Sequence, residues 1–485
     1  MTITADQEKA AQSHYNASID GTTTAKGEKD YLDGNVDVVA AGDGQIVDAV
    51  FGEINGDGPD YRGLSGIGAF IVMTKANIGL GVLSIPFIFQ IFGIVPGIIL
   101  LIVVQVLVMY SAQEILPFKL RHPEVYDISD AGYVFGGRIA REYLYVWFII
   151  DMTTTGSGAI VSLSACLNAI SSHGACTAVF IAVAAVAGMA LASIQTLSKV
   201  SWIGWVGLIS LVASVLTVTI ATGVQDRPAA APQAPLPWDK DFQVVAHPTF
   251  QKAMSCINQI LFAYSATPSY FNIVSEMADP RTYRRSLYIS MTGLTVIYII
   301  IGSLMYWFCG QYVATPALAS AGALMTKVSY GIAIPALLAT LVIYVHLASK
   351  TLMVRLLSGS RHLTNNSGIH WASWIGCLAF ITIFAYIVAS AVPNFGNIIS
   401  LMGALLSPNN CFIPYAFMWW HDNWRYASRE ERAQPWRIFK LCTHIGLLGI
   451  AFLITGAGTW AAVVDVINSS SNAGPWSCAD NQRDG

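Results

Sequence analysis

The chain has 485 residues, of which 54% are hydrophobic and only 11% charged, and its mean hydropathy is +0.54. An average soluble domain carries about 25% charged residues, so this composition argues against a soluble enzyme and against a nucleic-acid binder. The apolar residues fall in blocks of about 20, the length that crosses a bilayer core of about 30 Å as a helix, and the net charge of −3 says less than its distribution.

Residues 1–65 hold twelve Asp and Glu against Lys9, Lys26, Lys29 and Arg62, a net charge of −8. With no sustained apolar period, this stretch reads as a disordered acidic cytoplasmic tail, a place for regulatory partners. No basic run followed by a short apolar one marks a cleaved signal. Eleven helices are then predicted near 66–89, 94–117, 143–170, 175–194, 200–223, 253–275, 286–309, 329–357, 371–391, 395–419 and 441–465. Helices satisfy their own backbone inside lipid. The domains expected are the tail, a transmembrane unit over 66–467 and a short extracytoplasmic tail over 468–485.

Eleven spans put the termini on opposite sides. With the N-terminus inside, 20 Lys and Arg residues fall on the inner side and 5 on the outer, while Lys75 alone lies within a span. That bias fits the positive-inside rule. The inner loop at 118–142 contains an Asp127–Gly137 stretch expected to form a short interfacial helix. The proline-rich outer loop at 224–251 reads as extended, and the basic inner loop at 420–440 is placed against anionic lipid headgroups. Of eight cysteines, Cys176, Cys309 and Cys478 fall near the outer face, where one disulfide can form. Asn468-Ser469-Ser470 is an outer glycosylation sequon, too close to the membrane for ready occupancy. No CxxC, HExxH, Walker loop or nucleophile–base pattern appears, so neither cofactor nor metal nor enzymatic activity is expected.

Two spans carry breakers at their middle. The first contains Lys75-Ala76-Asn77-Ile78-Gly79-Leu80-Gly81-Val82-Leu83-Ser84-Ile85-Pro86. The sixth contains Phe262-Ala263-Tyr264-Ser265-Ala266-Thr267-Pro268-Ser269, then Tyr270 and Phe271. Gly and Pro in membrane helices often serve only packing. Here the breaks open two successive blocks of five spans, the arrangement that points to a transporter binding site. Free amides at such breaks suit an anionic group and free carbonyls suit a cation, so an amino-acid-sized zwitterion fits both.

The segment Ala76–Pro86 resembles the first-helix signature of the amino acid/auxin permease family. Phe262-Ala263-Tyr264, followed by Ser275-Glu276-Met277-Ala278-Asp279-Pro280, is similar to that family's sixth-helix signature and the turn after it. The likeness spans about 60–465 and is nearest to fungal neutral amino acid permeases. It implies an all-α polytopic fold, an inverted five-plus-five helix repeat with helices one and six broken, plus one extra helix. It also implies amino acid uptake coupled to an ion gradient. Asn77, Gly79, Gly81, Phe262, Tyr264 and Ser265 are the expected substrate contacts. Glu276 and Asp279, at the inner end of span six, are expected to gate or to cap a turn opened by Pro280.

Charged groups inside a membrane are functional candidates. Lys75, Asp151 and His346 lie at one depth, roughly 12–14 Å from the inner boundary at 1.5 Å per residue, and are expected to form a coupling cluster. In sodium-using branches of the resembling family, Asn stands where this chain has Lys75. The ammonium would exclude sodium there, or Lys75 would simply face a vestibule or pair with Asp151. The leading expectation is proton-coupled symport of neutral amino acids. Two alternatives are a sensor of the same fold without net transport and a sodium-coupled transporter. The outer sequon and the lysines of the acidic tail favour plasma membrane over vacuole.

Overall fold

The computed structural model describes residues 64–193, 197–232, 235–357, 367–469 and 475–481, with short stretches at 40–41, 45–48 and 52–53. Most of the acidic tail expected over 1–65 lies outside the described residues. Within it, Ala40–Ala41, Gln45–Asp48 and Gly52–Glu53 form a small antiparallel ribbon, with Ala40 opposite Ile46 and Val47 opposite Glu53.

Eleven helical blocks follow among the described residues. The first is interrupted, running Gly66–Asn77, a 3-10 turn Leu80–Leu83, then Ile85–Phe92. The second, Ile94–Ala112, continues through Ile115–Arg121. The third is Ile128–Ser171, the fourth Thr177–Ala192 and the fifth Leu197–Val224. The sixth is interrupted again: Phe250–Ala263, Thr267–Ser269 and Tyr270–Glu276. Then come Tyr283–Cys309, Ala323–Leu356 and Gly368–Ala391. The tenth breaks twice, as Phe395–Leu405, Ser407–Cys411 and Ile413–Trp420. The eleventh runs from Pro435–Leu453 through a π turn, Ile454–Gly458, into Thr459–Ser469. Seven blocks are each long and apolar enough to cross a membrane unaided; the first, fourth, sixth and tenth are short or broken.

The protein is thus all-α and polytopic, with the eleven blocks where the apolar lengths placed them. Blocks one and six are interrupted, and blocks three and eight hold the longest α-helices, at 44 and 34 residues, the former kinked at Gly137. These matching positions, five blocks apart, are what an inverted repeat requires. The eighth block packs mainly on the third and fifth. Pro335 lies inside it and cannot donate to the preceding turn. Beside that proline, Ser210 of the fifth block donates to the Ile332 carbonyl, and Ser214 donates to the Ser329 carbonyl at 2.7 Å. Large apolar side chains such as Ile209, Val212, Leu216 and Ile220 point outward along one helical face. That is the surface a lipid solvent requires.

The expected interfacial helix is the leading part of the third block. Asp127 caps it by accepting from the amides of Ser129 and Asp130, and Gly137, at φ 66°, sets it off from the span. At the opposite end, Cys176 is bonded to Cys478, while Cys309 is free and buried. The segment carrying Cys478 folds back over the bundle. Asn481 Nδ2 donates to Ser164 Oγ and to the Pro393 carbonyl, both at 2.9 Å, and its Oδ1 accepts from Asn168 at 2.7 Å.

Candidate functional site

The first helix ends at Asn77, whose carbonyl is taken by a group outside the helix. In a continuous helix the Asn77 carbonyl would accept from the Gly81 amide. Here it accepts from the Tyr298 hydroxyl of the seventh block at 3.2 Å. Among the described residues, the amides of Gly79, Leu80 and Gly81 donate to no backbone carbonyl. The same Tyr298 hydroxyl lies 3.4 Å from the Ala263 carbonyl, where the sixth helix ends. Pro268 has no amide to offer the Tyr264 carbonyl four residues earlier. That carbonyl instead faces the Cys411 thiol at 3.8 Å. Tyr298 therefore latches both breaks, and Cys411 brings the tenth block's break against the sixth.

The two glycines of the first break are not equivalent. A Cβ on Gly81 would lie 2.6 Å from the Cβ of Ala263 and 2.7 Å from its Cα, so only glycine lets the two breaks touch. A Cβ on Gly79 would meet nothing within 4 Å. Gly81 is thus closed by packing against Ala263, whereas Gly79 borders open space.

The remaining expected substrate contacts divide as well. Asn77 is buried; its Nδ2 donates to the Tyr270 hydroxyl at 2.5 Å and the Met73 carbonyl at 3.0 Å, leaving Oδ1 without a partner. Tyr264 is fully buried and pairs with Thr295 Oγ1 at 2.8 Å, so it serves the packing of blocks six and seven. Ser265 donates to the Phe262 carbonyl at 2.8 Å, within its own turn, and Phe262 is half-buried against the core. Sequence reasoning missed Thr267 and the tenth block. Among the described residues Ser407 Oγ and the Tyr415 hydroxyl are buried without hydrogen-bond partners, while Thr267 and Asn410 turn toward Cys411 and Asp151. The signal was present: Pro408, Asn409, Asn410 and Pro414 inside one apolar span.

The expected cluster of Lys75, Asp151 and His346 does not assemble. Ala69, Met73 and Asn77 are the buried face of the first helix, and Lys75, two residues off, lies on the other side, half-buried and in no ion pair or hydrogen bond among the described residues. His346 turns toward blocks four and nine. Its Nδ1 lies 3.4 Å from the Ala192 carbonyl and its ring meets Trp374 edge-on at 5.0 Å. Tyr344, two residues earlier, is the residue of that stretch within electrostatic reach of Asp151. Equal depth placed the three residues in one layer, but side-chain direction rotates by about 200° over two helical residues. Asp151 has Asn410 as its polar neighbour. Tyr143, Trp147 and Asp151 recur every fourth residue on one face of the third block. The first two donate to Asn409 Oδ1 and Asn410 Oδ1, both at 3.3 Å. The third block is thereby tied to the tenth block's break along two turns.

At the end expected to face the cytoplasm, Leu64 pairs with the strand-like turn after block six. Its amide donates to the Glu276 carbonyl at 3.1 Å, and its carbonyl accepts from Ala278 at 3.0 Å. Glu276 Oε1 accepts from the Tyr126 hydroxyl at 3.2 Å. Asp279 caps the 3-10 turn Pro280–Thr282 by accepting from the Arg281 amide at 3.1 Å. Nearby, His122 Nε2 and His421 Nδ1 approach Asp422 Oδ1 at 2.9 and 3.0 Å. Burial opposes charge on His122, but the Asp422 and Glu124 carboxylates outweigh it and hold the imidazole at about 9. Burial also works against the Asp422 carboxylate, and His122, His421 and Arg121 overcome it to bring the group to about 2.

Broken helices joined at mid-bundle, with unpaired amides on one and engaged carbonyls on the other, define a polytopic helical transporter. The family described as transmembrane amino acid transporter protein matches residues 62–459. This chain belongs to that family. Two relatives from Fusarium pseudograminearum and Gibberella moniliformis, each called a transmembrane transporter, are 32% and 30% identical over 94% and 88% of this chain and 96% and 90% of their own. The N amino acid transport system protein of Neurospora crassa is 28% identical over 84% of this chain and 87% of its own. Among solved structures, the inward-facing conformation of Mhp1 is 12% identical, covers 88% of this chain and 96% of its own, and has a TM-score of 0.45. MhsT in complex with L-phenylalanine is 10% identical over 82% of this chain and 97% of its own, with a TM-score of 0.46.

Proposed function

We propose that this protein is a proton-coupled secondary transporter of neutral amino acids, which bind where the first and sixth helices break. The observation that carries the reading is the row of unpaired amides at Gly79, Leu80 and Gly81, packed on Ala263 through Gly81. Such a row binds a carboxylate, as helix N-termini and backbone nests do. The groups around it, Asn77, Phe262, Thr267 and Tyr270, carry no formal charge, which suits an aliphatic or aromatic side chain. The printed name of the Neurospora relative supports an amino acid as cargo.

For coupling, the geometry favours Asp151. It is a buried carboxyl with no cationic partner among the described residues, beside the break of the tenth block. An unpaired carboxylate is costly there, so binding and releasing a proton is the change of charge that site can support. Lys75 and His346 stand apart from it and keep no assigned part in the proton step. The N-terminus is placed in the cytoplasm and the protein in the plasma membrane, as charge distribution and the outer sequon support.

The test is uptake of a panel of labelled amino acids into proteoliposomes of the purified protein. Uptake of neutral amino acids should be indifferent to replacing sodium by choline, stimulated by acid outside and collapsed by a protonophore. An amino acid methyl ester, lacking the carboxylate, should compete poorly. Sodium-dependent uptake at constant pH would overturn the coupling; binding without accumulation would overturn transport and leave a sensor.

A further inference from the structure

We propose that His122, His421 and Asp422 form a binding site for a divalent transition metal of the zinc class, which clamps the end of block two to the end of block ten. The three ligand atoms, one per residue, all lie within 4.8 Å of one another. Zinc–nitrogen distances of about 2.0–2.1 Å put tetrahedral ligands about 3.3 Å apart. The two imidazole nitrogens already stand 2.9 and 3.0 Å from the Asp422 carboxylate, so a modest opening admits the ion.

The two imidazoles come from segments 300 residues apart and turn their nitrogens on one carboxylate oxygen. Neighbours hold the rings: Phe118 lies 4.6 Å from His122 at a tilt of 42°, and Tyr426 meets His421 edge-on at 5.4 Å. Glu124 stands 3.7 Å from Nδ1 of His122, the other ring nitrogen. At that distance the carboxylate acts as a nearby negative charge, and an ion entering at Nε2 displaces the proton that the ring otherwise holds. The side chains are 21%, 10% and 5% exposed for His122, His421 and Asp422, so solvent reaches the cluster and water can serve as fourth ligand. One group opposes a cation: Arg121, whose guanidinium lies 3.4 Å from Asp422 Oδ2. That oxygen is not the one shared by the imidazoles, and Glu124 supplies a compensating negative charge. His and carboxylate ligands suit zinc, cobalt and nickel and are poor for sodium or potassium. The site is independent of the proposed cargo, because none of its residues belongs to the broken helices one and six.

Titration of untagged, purified full-length protein with Co2+, followed by visible absorption, tests the assignment. One equivalent should bind with the intense visible bands of tetrahedral cobalt and be displaced by Zn2+. Asp422→Asn or His421→Gln should lose the bands, and Glu124→Gln should weaken binding about 10-fold. A gain of signal guards against misfolded variants: His122→Cys should retain cobalt and add a thiolate charge-transfer band. Absence of stoichiometric cobalt binding, binding unchanged in both Asp422→Asn and His421→Gln, or no thiolate band in a folded His122→Cys protein would each overturn the site.

Discussion

The two interrupted helices meet at one place but are broken by different chemistry. Block one breaks on glycine and leaves donors: three backbone amides with no carbonyl to receive them among the described residues. Block six breaks on proline and leaves acceptors: the Ala263 and Tyr264 carbonyls, met by Tyr298 and Cys411. Glycine is needed where backbone must approach backbone, as at Gly81 against Ala263. Proline is enough where a helix need only lose one bond. On the proposed reading this difference gives the site a polarity, with the carboxylate of the cargo against the amides of block one.

The largest effect should come from closing the gap between the breaks. Gly81→Val drives a side chain into Ala263, an overpacking that costs about 1–3 kcal/mol, and displaces the amides by enough to lower uptake about 100-fold. Gly79→Ala, with open space at its Cβ, should keep uptake within a few-fold of the parent. Equal loss in both variants would mean that the amides, and not the packing, decide. Surface expression measured alongside uptake separates the two from misfolding.

Next comes Asp151→Asn. If the carboxyl carries the proton, the variant should exchange labelled substrate across the membrane yet fail to accumulate it against a gradient. Retained acid-stimulated accumulation would remove Asp151 from the coupling step. Because Lys75 and Asp151 share no contact, the effects of Lys75→Gln and Asp151→Asn should add.

A smaller effect is expected at the latch between the breaks. Tyr298→Phe leaves two buried carbonyls without their shared donor, at about 1–3 kcal/mol, and should raise the KM of uptake about 10-fold, with a lower thermal midpoint. The smallest belongs to Ser265→Ala. The Ser265 hydroxyl bonds only the Phe262 carbonyl in its own turn, so KM should change less than about twofold. A large rise would return Ser265 to the substrate contacts.

Much of this architecture could be read from residue order alone. Eleven apolar lengths and the breakers near Gly79 and Pro268 follow from helix rise and residue type, which are local properties. The tenth break was equally legible in Pro408 and Pro414 but was hidden by the high hydropathy of the residues around it. Depth in the membrane could also be counted, and it put Lys75, Asp151 and His346 in one layer.

What only tertiary structure decided is which groups in a layer meet. Rotation of each helix about its axis is fixed by packing, and no count along the chain supplies it. Packing gave Asp151 to Asn410 and Tyr344, sent His346 to Trp374, and set Tyr298 across both breaks. It also chose Cys478 for Cys176 and gathered His122, His421 and Asp422 from distant segments. Contacts between residues hundreds of positions apart depend on how side chains fill shared space, and that is settled only when the helices are packed.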